Sequence, residues 1–317
     1  MSTVMITGGT GLIGSALSSM LVESGYNVII LSRNPLETAK ANRYQQTAHA
    51  FRSNGNLFYS RWDIEKKYID PAALKEADHI IHLAGASVAA KRWTATTKRE
   101  ILESRTKSGE LLVEVLKNTQ NKVKTIVSAS AIGWYGPDKG TPFVEEDPFS
   151  NDFLGQTCEK WESSILPLEE LGKRLVRFRI GIVLSNEGGA LKEFRKPLRF
   201  GVAAVMGNGS QMVSWVHIQD LCRAYMMAIE NSSLSGVFNL VAPNPVSNRE
   251  LTITLAEQIA GGRYIPFKVP STLLKLILGE MSVEVLKSAT VSSKKLSQEG
   301  FQFMFPTINS AIQDLYS

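Results

Sequence analysis

Thr7-Gly8-Gly9-Thr10-Gly11-Leu12-Ile13-Gly14 follows directly on the short apolar run Val4-Met5-Ile6. The run reads as a buried strand. Behind the glycines, Leu12, Ile13, Ala16, Leu17, Met20 and Leu21 recur at helical spacing. A glycine-rich turn between a strand and a helix gathers free backbone N–H groups and the positive end of a helix dipole at one point. That point suits an anion such as a pyrophosphate. Gly8 permits the tight turn, Gly11 lets a phosphate approach a backbone without a Cβ, and Gly14 lets the helix pack closely on the strand. The spacing is G-x-x-G-x-x-G. The glycines alone are weak evidence, and the flanking strand and amphipathic helix supply the context that makes them informative.

Working outward, strand-like runs alternate with helical patterns. Strands are expected at Val4–Thr7, Asn27–Ser32, Leu57–Arg61, His79–Leu83, Lys124–Ala129, Leu175–Ile180 and Val237–Leu240. Helices are expected near 12–24, 71–76, 95–118, 155–171 and 218–230. Such alternation specifies an α/β fold, a doubly wound and mostly parallel sheet with helices on both faces. Ligands on these sheets bind beyond the carboxyl ends of the strands. Two segments break the rhythm. Glu187–Ser214 is glycine-rich without clear periodicity, and Ala242–Ser317 is marked by Pro243, Pro245, Pro266, Pro270 and Pro306. The expected division is a dinucleotide domain over 1–240, with 187–214 looping out to the cleft, and a smaller C-terminal substrate lobe over 241–317.

The 317 residues can bury a large core, and 44% hydrophobic with 21% charged residues is an ordinary globular balance. The net charge of +5 is mild, so a small anionic molecule is a plausible partner and nucleic acid is not. Two cysteines, Cys158 and Cys222, give neither a disulfide framework nor metal-ligand spacing, and no metal is expected. No targeting segment and no apolar stretch long enough to span a bilayer are evident. The expectation is a cytoplasmic protein with no membrane partner. A homodimer is compatible with the sequence, which sets no oligomeric state.

The second strand ends at Ser32-Arg33. An acidic residue there would accept from a ribose 2′-OH. A hydroxyl and a guanidinium suit a 2′-phosphate instead, which favours NADP(H). Asp63 stands where such folds often meet the adenine amino group, and it serves equally well as a helix cap. The small residues of Leu83-Ala84-Gly85-Ala86 let backbone approach the cofactor's ribose and nicotinamide side.

From here the resemblance becomes specific. Beside Thr7–Gly14 and Leu83–Ala86 stand Lys91-Arg92-Trp93-Thr94, Glu100-Ile101 and Ser104-Arg105. Ser128-Ala129-Ser130-Ala131-Ile132-Gly133-Trp134-Tyr135-Gly136, Asp152-Phe153-Leu154 and Trp161-Glu162 come next. The second half adds Arg179–Leu184, Gly188-Gly189-Ala190, Ser214–Asp220, Phe238-Asn239 and Leu278–Met281. In this order, over nearly its whole length, the chain resembles the epimerase-like family of extended short-chain dehydrogenases/reductases. The resemblance implies a Rossmann fold that binds NADP(H). Activity would be of epimerase or reductase type on a small polar, sugar-derived substrate. It places the pyrophosphate turn at Gly8, Thr10, Gly11, Leu12, Ile13 and Gly14, and the 2′-phosphate end at Ser32 and Arg33. It places Asp63 at the adenine, Leu83, Ala84, Gly85 and Ser128 along the ribose side, Glu100 and Arg105 beside the cleft, and Val183 at the carboxamide.

Catalysis is where the chain departs from that superfamily. Its redox members use a tyrosine as general acid/base, with a lysine four residues later that lowers the phenol pKa. Aligned on Glu162, those positions hold Leu154 and Cys158. Ser130 matches the serine that usually binds the substrate oxygen. Tyr135 is the nearby phenol offered as a stand-in acid, against a reading as a packed aromatic. A second expectation follows from Leu154 and Cys158, a protein that holds NADP(H) without turnover. A Ser214–His217–Asp220 triad is rejected, since there is no nucleophile elbow and the acid reads as a helix cap. Glu145-Glu146-Asp147 reads as solvated surface, while Asn208, Gln211 and Trp215 are expected to roof the cleft.

Overall fold

Val4, Met5 and Ile6 are completely buried because β1 (Thr3–Thr7) runs through the middle of the main sheet, covered on both faces. The structure is a computed structural model that describes residues 1–41 and 55–317. From β1 the chain moves outward on one side through β2 (Asn27–Ser32), β3 (Leu57–Asp63) and the short β4 (Tyr68–Ile69). It then crosses back to lay β5 (His79–His82) on the other flank of β1, followed by β6 (Thr125–Ala131) and β7 (Arg174–Ile180). This reversal at β1 is the topological switch point of a doubly wound Rossmann-type sheet. Within this sheet the pairings are parallel except β3 with β4, so the strand ends that follow Thr7, Ser32, His82 and Ala131 share one edge.

The covering helices are where the hydrophobic periods place them. Helix α1 (Leu12–Glu23) buries Gly14, Leu17, Ser18 and Leu21. After α2 (Pro35–Ala41), α3 (Pro71–Glu76) starts on a proline, with the Asp70 side chain accepting from Ala72 N. Helix α4 (Ala95–Asn118) opens on Thr94, which caps Thr97 N. The helix expected near 155–171 is two pieces, α5 (Phe153–Ile165) and α6 (Pro167–Glu170). Pro167 has no N–H to continue the ladder, so the turn breaks there. Asp152 caps Gly155 N and moves the start of α5 two residues upstream.

Beyond β7 the chain builds a second layer. Strand β8 (Ile182–Ser185) forms a hairpin with β9 (Gly188–Gly189) and leads into α7 (Ala190–Leu198), β10 (Val202–Met206), β11 (Met212–Val213) and β12 (Trp215–His217). The segment read as aperiodic therefore contains a helix. Its stripe of Leu191, Phe194 and Leu198 is only three residues long and is closed by Pro197. Helix α8 (Ile218–Glu230) returns the chain to the main sheet, where β13 (Gly236–Leu240) joins the edge beside β7. After β14 (Val246–Ser247), α9 (Asn248–Ala260) and β15 (Ile265–Val269) come three short helices, α10 (Ser271–Leu278), α11 (Ser282–Leu286) and α12 (Lys294–Gln298), and then α13 (Ile308–Tyr316). A separate apolar core joins Leu184, Leu191, Phe194 and Trp215 to Leu251, Leu255, Ile312 and Leu315. The lobe thus draws on the excursion before β12 as well as on the C-terminal segment. Leu296 and Phe301 pack instead into the main core.

Candidate functional site

The glycine turn fits a pyrophosphate on its own geometry. Gly8 has φ +70, and a Cβ there would lie 2.8 Å from the Leu83 carbonyl carbon. A Cβ at Gly14 would sit 2.4 Å from Gly8 O, so close packing of α1 on the turn requires glycine at both positions. Gly11 N donates to Gly8 O at 3.1 Å, which tightens the loop. Gly11 is also the N-cap of α1. No side chain caps it and the first turn carries no acidic residue, so the helix N-terminus keeps its donors and its positive dipole end for an external anion. Gly11 and Thr10 are exposed, with Leu12 and Ile13 half-buried behind them.

A buried relay fixes the neighbouring strand end. Thr7 Oγ1 accepts from Leu83 N (3.2 Å) and Ala84 N (3.3 Å) and lies 2.8 Å from His82 Nδ1. With its acceptor capacity used, the hydroxyl donates to Nδ1, which leaves the proton of a neutral imidazole on Nε2 facing Ser108 Oγ. Ser108 donates onward to Arg105 O. Burial drives the His82 pKa down to about 4, with Arg105 adding to the shift. Leu83 and Ala84 are thereby held against Gly8. Gly85 faces the Arg105 side chain, whose guanidinium carbon would be 3.0 Å from an added Cβ. Ser128 on β6 lies opposite His82, fully buried. On the other side of the turn, a Cβ on Gly189 would touch Leu12 at 3.1 Å and Val183 O at 3.6 Å. The β8–β9 hairpin therefore brings Val183 to the phosphate turn, a proximity not legible from their separation in sequence.

The remaining cofactor candidates divide. Ser32 Oγ is engaged with Thr38 Oγ1 at 2.6 Å and accepts from Asn34 N. Arg33 is exposed and has no ion pair among the described residues. Asp63 accepts from Lys66 N and lies 4.0 Å from Arg61, so its carboxylate holds the turn that follows β3. Glu100 and Arg105 do not meet. Glu100 is exposed, 3.7 Å from Lys91. Arg105 points inward, donating to Ala86 O and Ile101 O and stacking on Trp161 at 4.9 Å. Among the described residues it has no carboxylate partner, so its cation is held by carbonyl oxygens and the Trp161 ring alone.

At the catalytic positions the side chains are engaged with one another. Ser130, Arg179 and Asn239 lie in register across β6, β7 and β13. Ser130 Oγ donates to Glu162 Oε1 at 2.7 Å, and Arg179 grips both oxygens of the same carboxylate at 2.8 and 3.2 Å. The serine is therefore committed within the protein. Tyr135 is completely buried, its hydroxyl donating to Asn239 Oδ1 at 2.7 Å and accepting from Arg179. Burial pushes its pKa up to about 12. Such a phenol keeps its proton at neutral pH, and its ring packs as an aromatic, stacked on Phe143 at 4.9 Å. Leu154 packs over Gly133. Cys158 is buried beneath, and burial with the nearby Glu162 pushes its thiol up to about 12 although Arg105 opposes the shift.

Other expectations also change. Glu145 is buried and accepts from Asn239 N at 2.7 Å, so only part of the acidic cluster is surface. The cap of α8 is His217, accepting from Gln219 N. Asp220 instead accepts from Met304 N and Phe305 N and anchors the C-terminal segment. Trp215 is core, Gln211 is buried against Met206 O and Val285 O, and Asn208 serves its own turn. Arg92 is a loop anchor that donates to the Leu276 and Ile277 carbonyls at the end of α10. Sequence reasoning missed the roof contact by which Lys287 joins Asp152, Glu284 and Tyr135 O. It also missed the partners of Arg179. The signal was present, since Arg177 and Arg179 interrupt a strand otherwise read as buried and such cations demand a carboxylate.

A doubly wound sheet with a capless glycine turn at its switch point defines a dinucleotide-binding α/β protein. Residues 4–156 match the NAD dependent epimerase/dehydratase family, and residues 269–315 match a domain of unknown function, DUF1731. An epimerase family protein of Staphylococcus aureus is 35% identical over 322 residues, covering 100% of both chains. One from Staphylococcus saprophyticus is 36% identical over 318 residues, 99% of each. The crystal structure of human epimerase family protein SDR39U1 (isoform 2) with NADPH has a TM-score of 0.83 at 27% identity, covering 99% of each chain. The chain belongs to the epimerase family.

Proposed function

We propose that this protein binds NADP(H) at the Gly8–Gly14 turn and acts with it on a small polar, sugar-derived substrate in the cleft beneath the C-terminal lobe. The observation that carries this reading is the uncapped, acid-free N-terminus of α1 above a turn that admits no Cβ at Gly8 or Gly14. The solved relative that holds NADPH supports the cofactor class. Arg33, exposed at the end of β2, is the group for the 2′-phosphate. The cofactor supplies hydride donation or acceptance. The chain's own part is to orient it: main-chain donors for the pyrophosphate, Leu83 and Ala84 along the ribose, and Arg105 as a fixed positive charge where the superfamily's lysine is absent. That last role compensates for Cys158, which carries no charge.

A second reading is a protein that holds NADP(H) without turnover. It is favoured by the engagement of Ser130 with Glu162 and of Tyr135 with Asn239, which leaves no proton donor among the residues expected to provide one. The deciding experiment titrates the purified protein with NADPH and NADH, then follows NADPH oxidation against a panel of carbonyl compounds. Tighter NADPH binding with reduction of at least one carbonyl establishes the enzyme. Tight binding with no oxidation selects the second reading, and binding of neither nucleotide rejects both.

A further inference from the structure

Large apolar side chains of the C-terminal lobe are left in solvent. Phe200 is 86% exposed, Ile265 72% and Phe267 53%, and in α10 Leu276 is 73% and Ile277 55% exposed. Phe200 and Ile265 are brought together by a backbone contact, Ile265 N donating to Gly201 O at 2.8 Å. The parallel pairing of β10 with β15 sets Val202 against Ile265 and Ala204 against Phe267. Strand β15 runs through Pro270 directly into α10, where Leu274 alone is buried. Large apolar side chains gathered in solvent on two paired strands mark an interaction site.

Its surroundings are positively charged. Arg199, Arg263, Lys268 and Lys275 are exposed and make no ion pair among the described residues. Of the acidic residues nearby, Glu193 pairs with Lys196, Glu280 with Lys98 and Glu284 with Lys287, while Glu257 accepts from Tyr264 and keeps its charge. Protruding phenyl and alkyl groups within a basic rim match a bilayer surface, where apolar groups enter the acyl boundary and cations meet anionic headgroups. A second copy of the same face would set basic rim against basic rim.

From this we infer that the protein attaches reversibly to anionic lipid surfaces through the β10–β15 tip, with Phe200, Ile265 and Phe267 inserted and Arg199, Arg263 and Lys268 on the headgroups. This departs from the expectation of no membrane partner. It concerns a surface attachment; no described helix is long and apolar enough to cross a membrane.

The test is co-sedimentation of the full-length protein with vesicles of phosphatidylcholine alone, or of phosphatidylcholine and phosphatidylglycerol in equal parts, at low salt. The wild type is expected to pellet with the mixed vesicles and stay in solution with the neutral ones. Reversing two charges in Arg263→Glu/Lys268→Glu should weaken partitioning by at least about thirtyfold. Phe200→Ser/Phe267→Ser should weaken it by at least about tenfold. Retention of the wild-type melting temperature in both variants shows that the fold is intact, independently of cofactor binding. Failure of the wild type to pellet, equal pelleting with neutral vesicles, or unchanged pelleting of folded variants overturns the inference. So does a dimer that Phe200→Ser/Phe267→Ser dissociates without vesicle binding, which would make the face a contact between copies.

Discussion

Ser130 Oγ donates to Glu162 Oε1 at 2.7 Å, and both groups are buried. The serine that the family resemblance assigns to a substrate oxygen is thus bonded to a carboxylate that Arg179 also holds. Ser130→Ala should lower stability by roughly 1.5–3 kcal/mol, the range for a hydrogen bond to a charged group. It should leave NADPH affinity within about twofold. Thermal denaturation and nucleotide titration check the two halves separately; unchanged stability with lost turnover would return Ser130 to the substrate.

Removing the carboxylate is more severe. Glu162→Gln leaves the Arg179 guanidinium, stacked 3.5 Å from the Trp134 ring centre, buried without a counter-charge. Breaking one side of such a pair costs about 3–5 kcal/mol. A chemical-denaturation midpoint equal to that of the wild type would contradict the network. Replacing Glu162 and Arg179 together with apolar residues should recover part of the loss.

His82 makes stability depend on pH. Its folded-state pKa of about 4 lies below the ordinary value of 6.5, so the unfolded chain takes up the proton first as pH falls. The contribution is complete above the unfolded value and is lost as pH drops towards about 4, amounting to roughly 3 kcal/mol. Burial shifts His79 and His217 in the same direction. Unfolding free energy measured across this window should rise with pH, and the slope should shrink in His82→Asn.

Cys158 and Cys222 should resist alkylation. Burial pushes both thiols up to about 12, so at neutral pH almost no thiolate is present and a reagent has no access. Iodoacetamide with mass spectrometry should find both unmodified in the folded protein and both modified in denaturant. Rapid labelling of Cys158 in the native state would reopen its candidacy as a nucleophile.

Legibility in the sequence followed the range of the forces involved. The strand over Asn27–Ser32 and the helices over 95–118 and 218–230 have the bounds read from apolar period and capping residues, because those signals are local. The glycine turn was legible for the same reason. What escaped depends on distant chain segments meeting. Glu145 was read as solvated because nothing nearby shows that β13 will bring Asn239 N to it. The exposed Phe200 and Ile265 were unremarkable until β10 paired with β15. Tyr135 could be read two ways from sequence, and only the positions of Arg179 and Asn239 decide between them.

In the proposed function, the choice between the two nicotinamide cofactors rests on Arg33. It is exposed at the end of β2, beyond Ile30, whose side chain lies against Gly9 of the phosphate turn. Because Arg33 has no ion pair among the described residues, replacing it breaks no internal contact of that kind, and fold stability should hardly change. Arg33→Asp removes a charge-assisted contact to a 2′-phosphate and puts a carboxylate where a ribose hydroxyl can be bound. The lost contact is worth roughly 1.5–3 kcal/mol, so NADPH should bind more than about tenfold more weakly. NADH should bind as well as before or better. Isothermal titration with both nucleotides measures the pair of changes, and equal losses for NADPH and NADH would defeat the assignment of Arg33 to the 2′-phosphate.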